Sequence, residues 1–209
     1  MEKFSIIIPT MWKSPLIHQL IRQCHVCPFI EEIIIINNDV QHTPKNLFVS
    51  DKIRKFQENT NRFVNASWNI GAKYANHTII LANDDILIDN MAFLFENIVS
   101  QQRFDLIGAT INNLSAQMNP VQRWAKTKGF PRKSFGCFMV CRKYVPIPEE
   151  MKILCGDNWL FDHADTVGII GAGYIYTPIS VTIKSDPAFN EIGKRDKEIY
   201  KQLIQTIKN

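Results

Sequence analysis

The chain has 209 residues, 24 Lys and Arg against 20 Asp and Glu, and 45% hydrophobic residues. At roughly 100–200 residues per domain that length suits a single domain, and the apolar content excludes wholesale disorder. The net charge of +4 is spread along the chain. Its densest basic stretch, Lys194-Arg195 to Lys201, is interleaved with Asp196 and Glu198 and reads as a solvated helix face, not a nucleic-acid footprint.

The first apolar run, Phe4 to Ile8, is too short for a signal sequence and stops at Pro9. Val167 to Val181, broken by glycines and Pro178, falls short of the roughly 18 apolar residues of a membrane span. Five cysteines, an odd number, suit a reducing compartment better than a disulfide framework, so a cytoplasmic location is expected. Cys24 and Cys27 have chelating spacing, as do Cys137 and Cys141. The second pair lies inside an apolar run that reads as a buried strand, which favours buried thiols over structural zinc.

In chain order, Phe4 to Pro9 is a β-rich apolar run. Ser14-Pro15 predicts a helix start with Ser as cap, followed by Leu16, Ile17, Leu20, Ile21 and Cys24 at helical spacing. Ile33 to Ile36 is β-branched and apolar on both faces, the mark of a buried parallel strand, and Asn37-Asn38-Asp39 ends it. Phe48-Val49 is expected to start a short third strand. Asn61 or Asn65 caps a helix to about Tyr74, Thr78 to Leu81 is the next strand, and Asp89 caps a helix carrying Met91, Leu94, Phe95, Ile98 and Val99. Strands alternating with helices in this way imply βαβ crossovers and a mostly parallel sheet.

The second half is less regular. Leu106 to Ile111 and Phe135 to Cys141 read as strands, joined by a long polar connection from Asn112 to Ser134. Gly156 to Val167 reads as a helix and Tyr174 to Ile183 as one or two strands. Asn190 to Lys208 reads as a closing helix with Ile192, Ile199, Leu203 and Ile207 on one face. The expectation is one α/β domain, residues 1–110 forming a ligand-binding half and 111–209 a smaller mixed part.

In open α/β sheets ligands bind beyond the carboxyl ends of the strands. Those ends are Pro9-Thr10-Met11-Trp12, Asn37-Asn38-Asp39 and Ala82-Asn83-Asp84-Asp85. Adjacent carboxylates repel unless a cation lies before them, and oxygen donors suit Mg²⁺ or Mn²⁺ on a diphosphate. Asn-Asp-Asp is equally good turn chemistry, so both readings stand at this point.

Five segments in order resemble a GT-A fold glycosyltransferase of the family 2 type. They are Ser5-Ile6-Ile7-Ile8-Pro9-Thr10, then Ile33 to Asp39, then Asn69-Ile70-Gly71-Ala72 leading into Ile79 to Asp85, then Gly136 to Val140, and Gly156-Asp157-Asn158-Trp159-Leu160-Phe161. The chain is short for that family and is similar to members carrying only the catalytic domain, as some virus-encoded ones do. The resemblance implies a GT-A, Rossmann-like sheet. It implies a hexosyltransferase that takes a nucleotide-diphospho-sugar donor, UDP-linked by preference, with Mn²⁺ or Mg²⁺, and a carbohydrate or glycan acceptor.

The resemblance also implies roles. Thr10, and Asn38 or Asp39, would meet the nucleotide base or ribose, and Asn69 and Gly71 would line the nucleotide pocket. Asn83-Asp84-Asp85 would occupy the Asp-x-Asp position, with Asn83 on the ribose, Asp85 on the metal, and Asp84 on metal or ribose. Gly136 would approach the donor sugar, and Asp157 would be the base of an inverting displacement. A carboxylate in the first turn of a helix is also stabilised by the dipole, so Asp157 has a structural reading too.

Asn37-Asn38 stands where the family more often has acids, Asn83 where it has the first Asp, and Trp68 where an Arg is common. Lys184 and Asp186 fall about where a late metal ligand would be, and Arg123 and Trp124 could face the acceptor or the core. His163 reads as a partly buried surface residue. Gly171 and Gly173 follow a helix, where a dinucleotide fingerprint would precede one. Two rival functions are a sugar-nucleotide nucleotidyltransferase, disfavoured by the absence of Gly from Pro9 to Ser14, and a non-catalytic nucleotide- or sugar-binding module.

Overall fold

Strands that are apolar at every position need cover on both faces, and this sheet has it. The computed structural model describes residues 1–39, 41–42, 44, 46–109, 122–125, 137–170, 174–177 and 187–208, without the side chains of 122–125, 207 and 208. The strands are β1 (Phe4–Thr10), β2 (Ile30–Asn37), β3 (Ile53–Gln57), β4 (Thr78–Ala82), β5 (Leu87–Ile88), β6 (Leu106–Gly108), β7 (Gln122–Ala125), β8 (Phe138–Cys141), β9 (Thr166–Ile169) and β10 (Ile175–Tyr176). The helices are α1 (Leu16–Val26), α2 (Phe63–Tyr74), α3 (Met91–Val99), α4 (Gly156–His163) and α5 (Ala188–Lys208).

Eight strands make one sheet in the order β3-β2-β1-β4-β8-β6-β9-β7, and β5 pairs with β10 in a second, small one. β3, β2, β1 and β4 are mutually parallel; β8 runs antiparallel between β4 and β6, and β9 is parallel to β6. The fold is therefore α/β, with a mostly parallel mixed sheet flanked by helices and compatible with a Rossmann-like architecture.

Strand periodicity divides the core in two. Phe4, Ile6, Ile8, Ile33, Ile35, Ile80, Phe138 and Val140 pack with Leu20 and Ile21 of α1 and Leu94 and Phe95 of α3. Ile7, Ile34, Ile36, Leu81 and Met139 pack on the other face with Trp68 of α2, Trp159 and Leu160 of α4, and Tyr200 and Ile204 of α5. Helix α2 lies so close to β1 that a Cβ on Gly71 would run into the Ile7 side chain.

Register brings the strand ends level. Thr10 of β1 stands opposite Asn37 of β2, and Asn37 opposite Gln57 of β3. Because β8 is reversed, its first residue, Phe138, faces Ala82 at the end of β4, so Cys137 arrives at the same edge. A helix leading into a parallel strand starts at the carboxyl edge of the sheet, which places the N-termini of α1, α2 and α4 there.

Several boundaries differ from the sequence reading. The third strand is Ile53–Gln57, not Phe48-Val49, because β3 is an edge strand whose partly exposed residues form no apolar run. Asn90, in the left-handed region at φ 42°, caps α3, while the Asp89 N–H goes to the Tyr174 carbonyl at 2.7 Å. Helix α4 ends at His163, and Thr166–Ile169 is a strand: Val167 and Ile169, two apart, fill the core beside Leu106. The buried stripe of α5 is Phe189, Asp196, Tyr200 and Ile204; of the expected face, Ile199 and Leu203 pack partly buried against the core, Ile192 is partly buried, and the side chain of Ile207 lies outside the described residues.

The cap positions also differ: Pro15 caps α1 and Arg62 caps α2, although Ser14 Oγ still accepts the Leu16 N–H at 3.3 Å and Asn61 Oδ1 the Phe63 N–H at 2.8 Å. Cys24, Cys27 and Cys141 are buried free thiols. Among the described residues no helix is long and apolar enough to cross a membrane.

Candidate functional site

The turn after β4 carries Asp84 and Asp85, both buried at the carboxyl edge. From the neighbouring strand end, Thr10 Oγ1 donates to Asp84 Oδ2 at 2.6 Å. The same Thr10 oxygen accepts the Trp12 N–H at 2.8 Å. Burial pushes the Asp84 carboxyl up to about 6, the Thr10 hydrogen bond opposes this, and the neighbouring Asp85 charge adds to it.

Cys137 ties this turn to the far side of the sheet. The Asn83 N–H donates to the Cys137 carbonyl at 3.0 Å, one step beyond the last ladder pair of β4 and β8. Burial pushes the Cys137 thiol up to about 12, with the charges of Asp85 and Asp157 contributing in the same direction. Asp157 stands in the first turn of α4. Asp157 is itself buried, beside a helix start that favours negative charge.

The β1–α1 loop forms another wall. Trp12 adopts φ 59°, a left-handed conformation that a bulky residue holds only when its surroundings compel it. Its ring N–H donates to Asn37 Oδ1 at 2.9 Å and its indole stacks on His18. Asn61 Nδ2 reaches Met11 Sδ at 3.7 Å, so this loop also touches the start of α2.

The remaining sequence-predicted residues lie as follows. Asn38 is buried, with its side-chain N–H donated to Ser67 Oγ at 2.8 Å and its Oδ1 accepting the Arg62 N–H at 3.0 Å; its amide holds the start of α2. Asp39 is partly exposed at the edge, and its Oδ1 accepts the Gln41 N–H at 3.0 Å. Asn69 donates to the Ile147 carbonyl at 2.7 Å and accepts the Ile147 N–H at 2.9 Å and the Tyr144 hydroxyl at 2.6 Å. Its amide therefore serves the segment before α4. Gly71 serves the packing of α2 on β1. His163 is partly buried, its Nδ1 at 2.8 Å from the Trp159 carbonyl.

Gly136, Gly171, Gly173, Lys184 and Asp186 lie outside the described residues, as do the side chains of Arg123 and Trp124. The structure thus brings Thr10 to Asp84 beside Asp85 at the end of β4 and sets Asp157 in the first turn of α4, while the amides of Asn38 and Asn69 and the close approach at Gly71 hold the surrounding elements. Sequence reasoning missed Cys137 as the residue whose carbonyl accepts the Asn83 N–H at the start of the acidic turn. Its place just before an antiparallel strand opposite Asn83 is the signal that could have found it. Among the described residues, no group of three or more His, Cys, Asp and Glu side chains gathers to hold a metal by itself.

No protein-family model matches the sequence, and no curated protein matches it.

Proposed function

We propose that this chain is a GT-A-type glycosyltransferase, moving a sugar from a nucleotide-diphospho-sugar, UDP-linked by preference, to an acceptor hydroxyl with inversion. The observation that carries the reading is the buried pair Asp84 and Asp85 at the carboxyl edge, with Thr10 of the neighbouring strand donating to Asp84, while a further buried carboxylate, Asp157, heads α4 at the same edge. A strand-end acidic pair suits the donor diphosphate through a cation, and a separate buried carboxylate suits the acceptor.

The residues present fit a divalent cation. Two adjacent buried carboxylates supply hard oxygen donors; burial first and the Asp85 charge after it push the Asp84 carboxyl up, and a cation there would offset both. Asp84 and Asp85 would hold Mn²⁺ or Mg²⁺, which would neutralise charge developing on the leaving diphosphate.

The chain's own groups do the rest. Thr10 fixes the Asp84 carboxylate, and the Trp12 backbone fixes Thr10 in turn. Asp157 accepts the proton of the acceptor hydroxyl, a contribution of roughly 10²–10⁴-fold. The hydroxyl oxygen bonds to the anomeric carbon as the bond from that carbon to the diphosphate oxygen breaks, and the electron pair leaves on the diphosphate.

A thermal-shift panel tests this reading, using UDP, GDP, ADP and CMP with their common sugar conjugates, each with Mn²⁺, Mg²⁺ or EDTA. Ligand at about a hundredfold over its dissociation constant adds roughly 2.7 kcal/mol of stability. A metal-dependent shift with one nucleotide class is expected. Folded protein with no shift for any nucleotide overturns the transferase reading in favour of a different ligand.

A further inference from the structure

We propose that Asp196, on the closing helix α5, is a positioning residue for Asp157; the proposal rests on the reading of Asp157 as the base.

Strand β8 is reversed, so it ends at the amino edge of the sheet, whereas α4 must start at the carboxyl edge to bring Asp157 into the site. Residues 142–155 make that return without helix or strand. A segment of this kind leaves its backbone groups without ladder partners, and side chains from two helices supply them. Asn69 takes both backbone groups of Ile147, as described above. One turn towards the start of α2, Asn65 donates from Nδ2 to the carbonyls of Met151 at 3.2 Å and Leu154 at 3.1 Å, and its own N–H goes to the Lys152 carbonyl at 3.1 Å. From within the segment's destination, Trp159 donates its ring N–H to the Pro146 carbonyl at 3.1 Å.

Asp196 closes the far side. Its Oδ1 accepts the Lys152 N–H at 3.0 Å, and its Oδ2 accepts those of Ile153 at 2.7 Å and Leu154 at 2.8 Å. The carboxylate is only 1% exposed and interrupts the apolar stripe of Phe189, Tyr200 and Ile204. An apolar side chain would dock α5 there at lower desolvation cost. A buried carboxylate at this position instead fixes three consecutive backbone donors, and an amide cannot replace it, because its N–H₂ end would face a donor.

The clamp acts on the residues that set where α4 begins. One residue beyond Leu154, Cys155 takes φ 64°, and a Cβ on Gly156 would run into Asn65 Oδ1. The chain has no slack between Leu154 and Asp157. Releasing residues 152–154 therefore displaces the Asp157 carboxylate from the acceptor oxygen, while Thr10, Asp84 and Asp85 sit on other elements and stay in place. A displacement near 1 Å costs on the order of 10²-fold in turnover.

The test measures UDP release from UDP-sugars, with water or glycans as acceptor, and UDP–Mn²⁺ affinity by calorimetry, for the wild type, Asp196→Asn, Asn65→Ala and Tyr200→Phe. Asp196→Asn and Asn65→Ala attack the same segment from opposite sides, so either one suffices if the other fails to fold. Each is expected to lower kcat about tenfold or more with the UDP dissociation constant within about twofold. Tyr200→Phe, which removes the α5 hydrogen bond to Asp162 (2.5 Å) without touching residues 152–154, is expected to leave kcat unchanged. Unchanged kcat in a folded Asp196→Asn or Asn65→Ala variant overturns the proposal, as does an equal loss in Tyr200→Phe. Wild-type protein that neither binds UDP nor releases it from any conjugate overturns the transferase reading itself. In that case the amides of residues 152–154 still judge the clamp: hydrogen exchange as slow as that of α4 supports it, and loop-like exchange removes it.

Discussion

Replacing Asp84 by Asn tests whether the strand-end acidic pair is built for a cation. Asp84 is buried, accepts the Thr10 hydroxyl, and sits beside Asp85, and its carboxyl rises from the ordinary 3.8 to about 6. A carboxyl raised on folding contributes stability that is fully present below about pH 4 and is lost as pH rises through about 6. At 1.36 kcal/mol per pH unit, the ionised form costs the metal-free protein up to about 3 kcal/mol at neutral pH. Asparagine is neutral at every pH and its Oδ1 can still accept the Thr10 hydroxyl. In EDTA the variant should therefore melt about 6–12 °C above wild type near pH 7.5, at roughly 2–4 °C per kcal/mol, and the two should converge near pH 4. Mn²⁺ should raise the wild-type melting temperature and affect the variant less. The assay is calorimetric unfolding of both proteins across pH, with and without metal. A gap that is negative at neutral pH, or the same at all pH values, refutes the reasoning.

Three further outcomes are expected. Asp157→Asn should lower turnover by roughly 10²–10⁴-fold with UDP affinity unchanged, checked by steady-state UDP release and calorimetric titration. Gly71→Ala should destabilise the fold by about 1–3 kcal/mol, because α2 must back away from Ile7; urea unfolding measures it. Burial alone would raise Glu32, but hydrogen bonds from Ser5, the Asn76 backbone, Arg54 and the Asn76 side chain outweigh it and hold its carboxyl down at about 2. A depressed acid contributes stability that is present above its ordinary value of 4.5 and lost as pH falls through about 2. Glu32→Gln should lower neutral-pH stability by about 1.5–3 kcal/mol and flatten its fall in acid, read from urea midpoints between about pH 2 and pH 7.

What the sequence by itself determined is the parallel centre of the sheet and the polar residues at its carboxyl edge. Strands β1, β2 and β4 are legible because burial on both faces forces unbroken apolar runs, and the turn residues that end them must then fall on one edge. The elements that escaped lie where that pressure is absent or ambiguous. β3 is a half-exposed edge, and β9 is so short that the helix read from the sequence runs on to Val167, into the strand's first residues.

Only the tertiary structure decided which polar residues face the site and which hold it together. Asn38 and Asn69 have the residue type and spacing of ligand contacts, yet their amides are committed to the start of α2 and to Ile147. Asp196 looks like one more charge on a solvated helix, yet it lies against amides 42 to 44 residues away in the chain. Hydrogen-bond partners at such separations leave no periodicity in the sequence. They depend on the reversal of β8, which obliges the chain to climb back across the sheet to reach the edge where Asp157 stands.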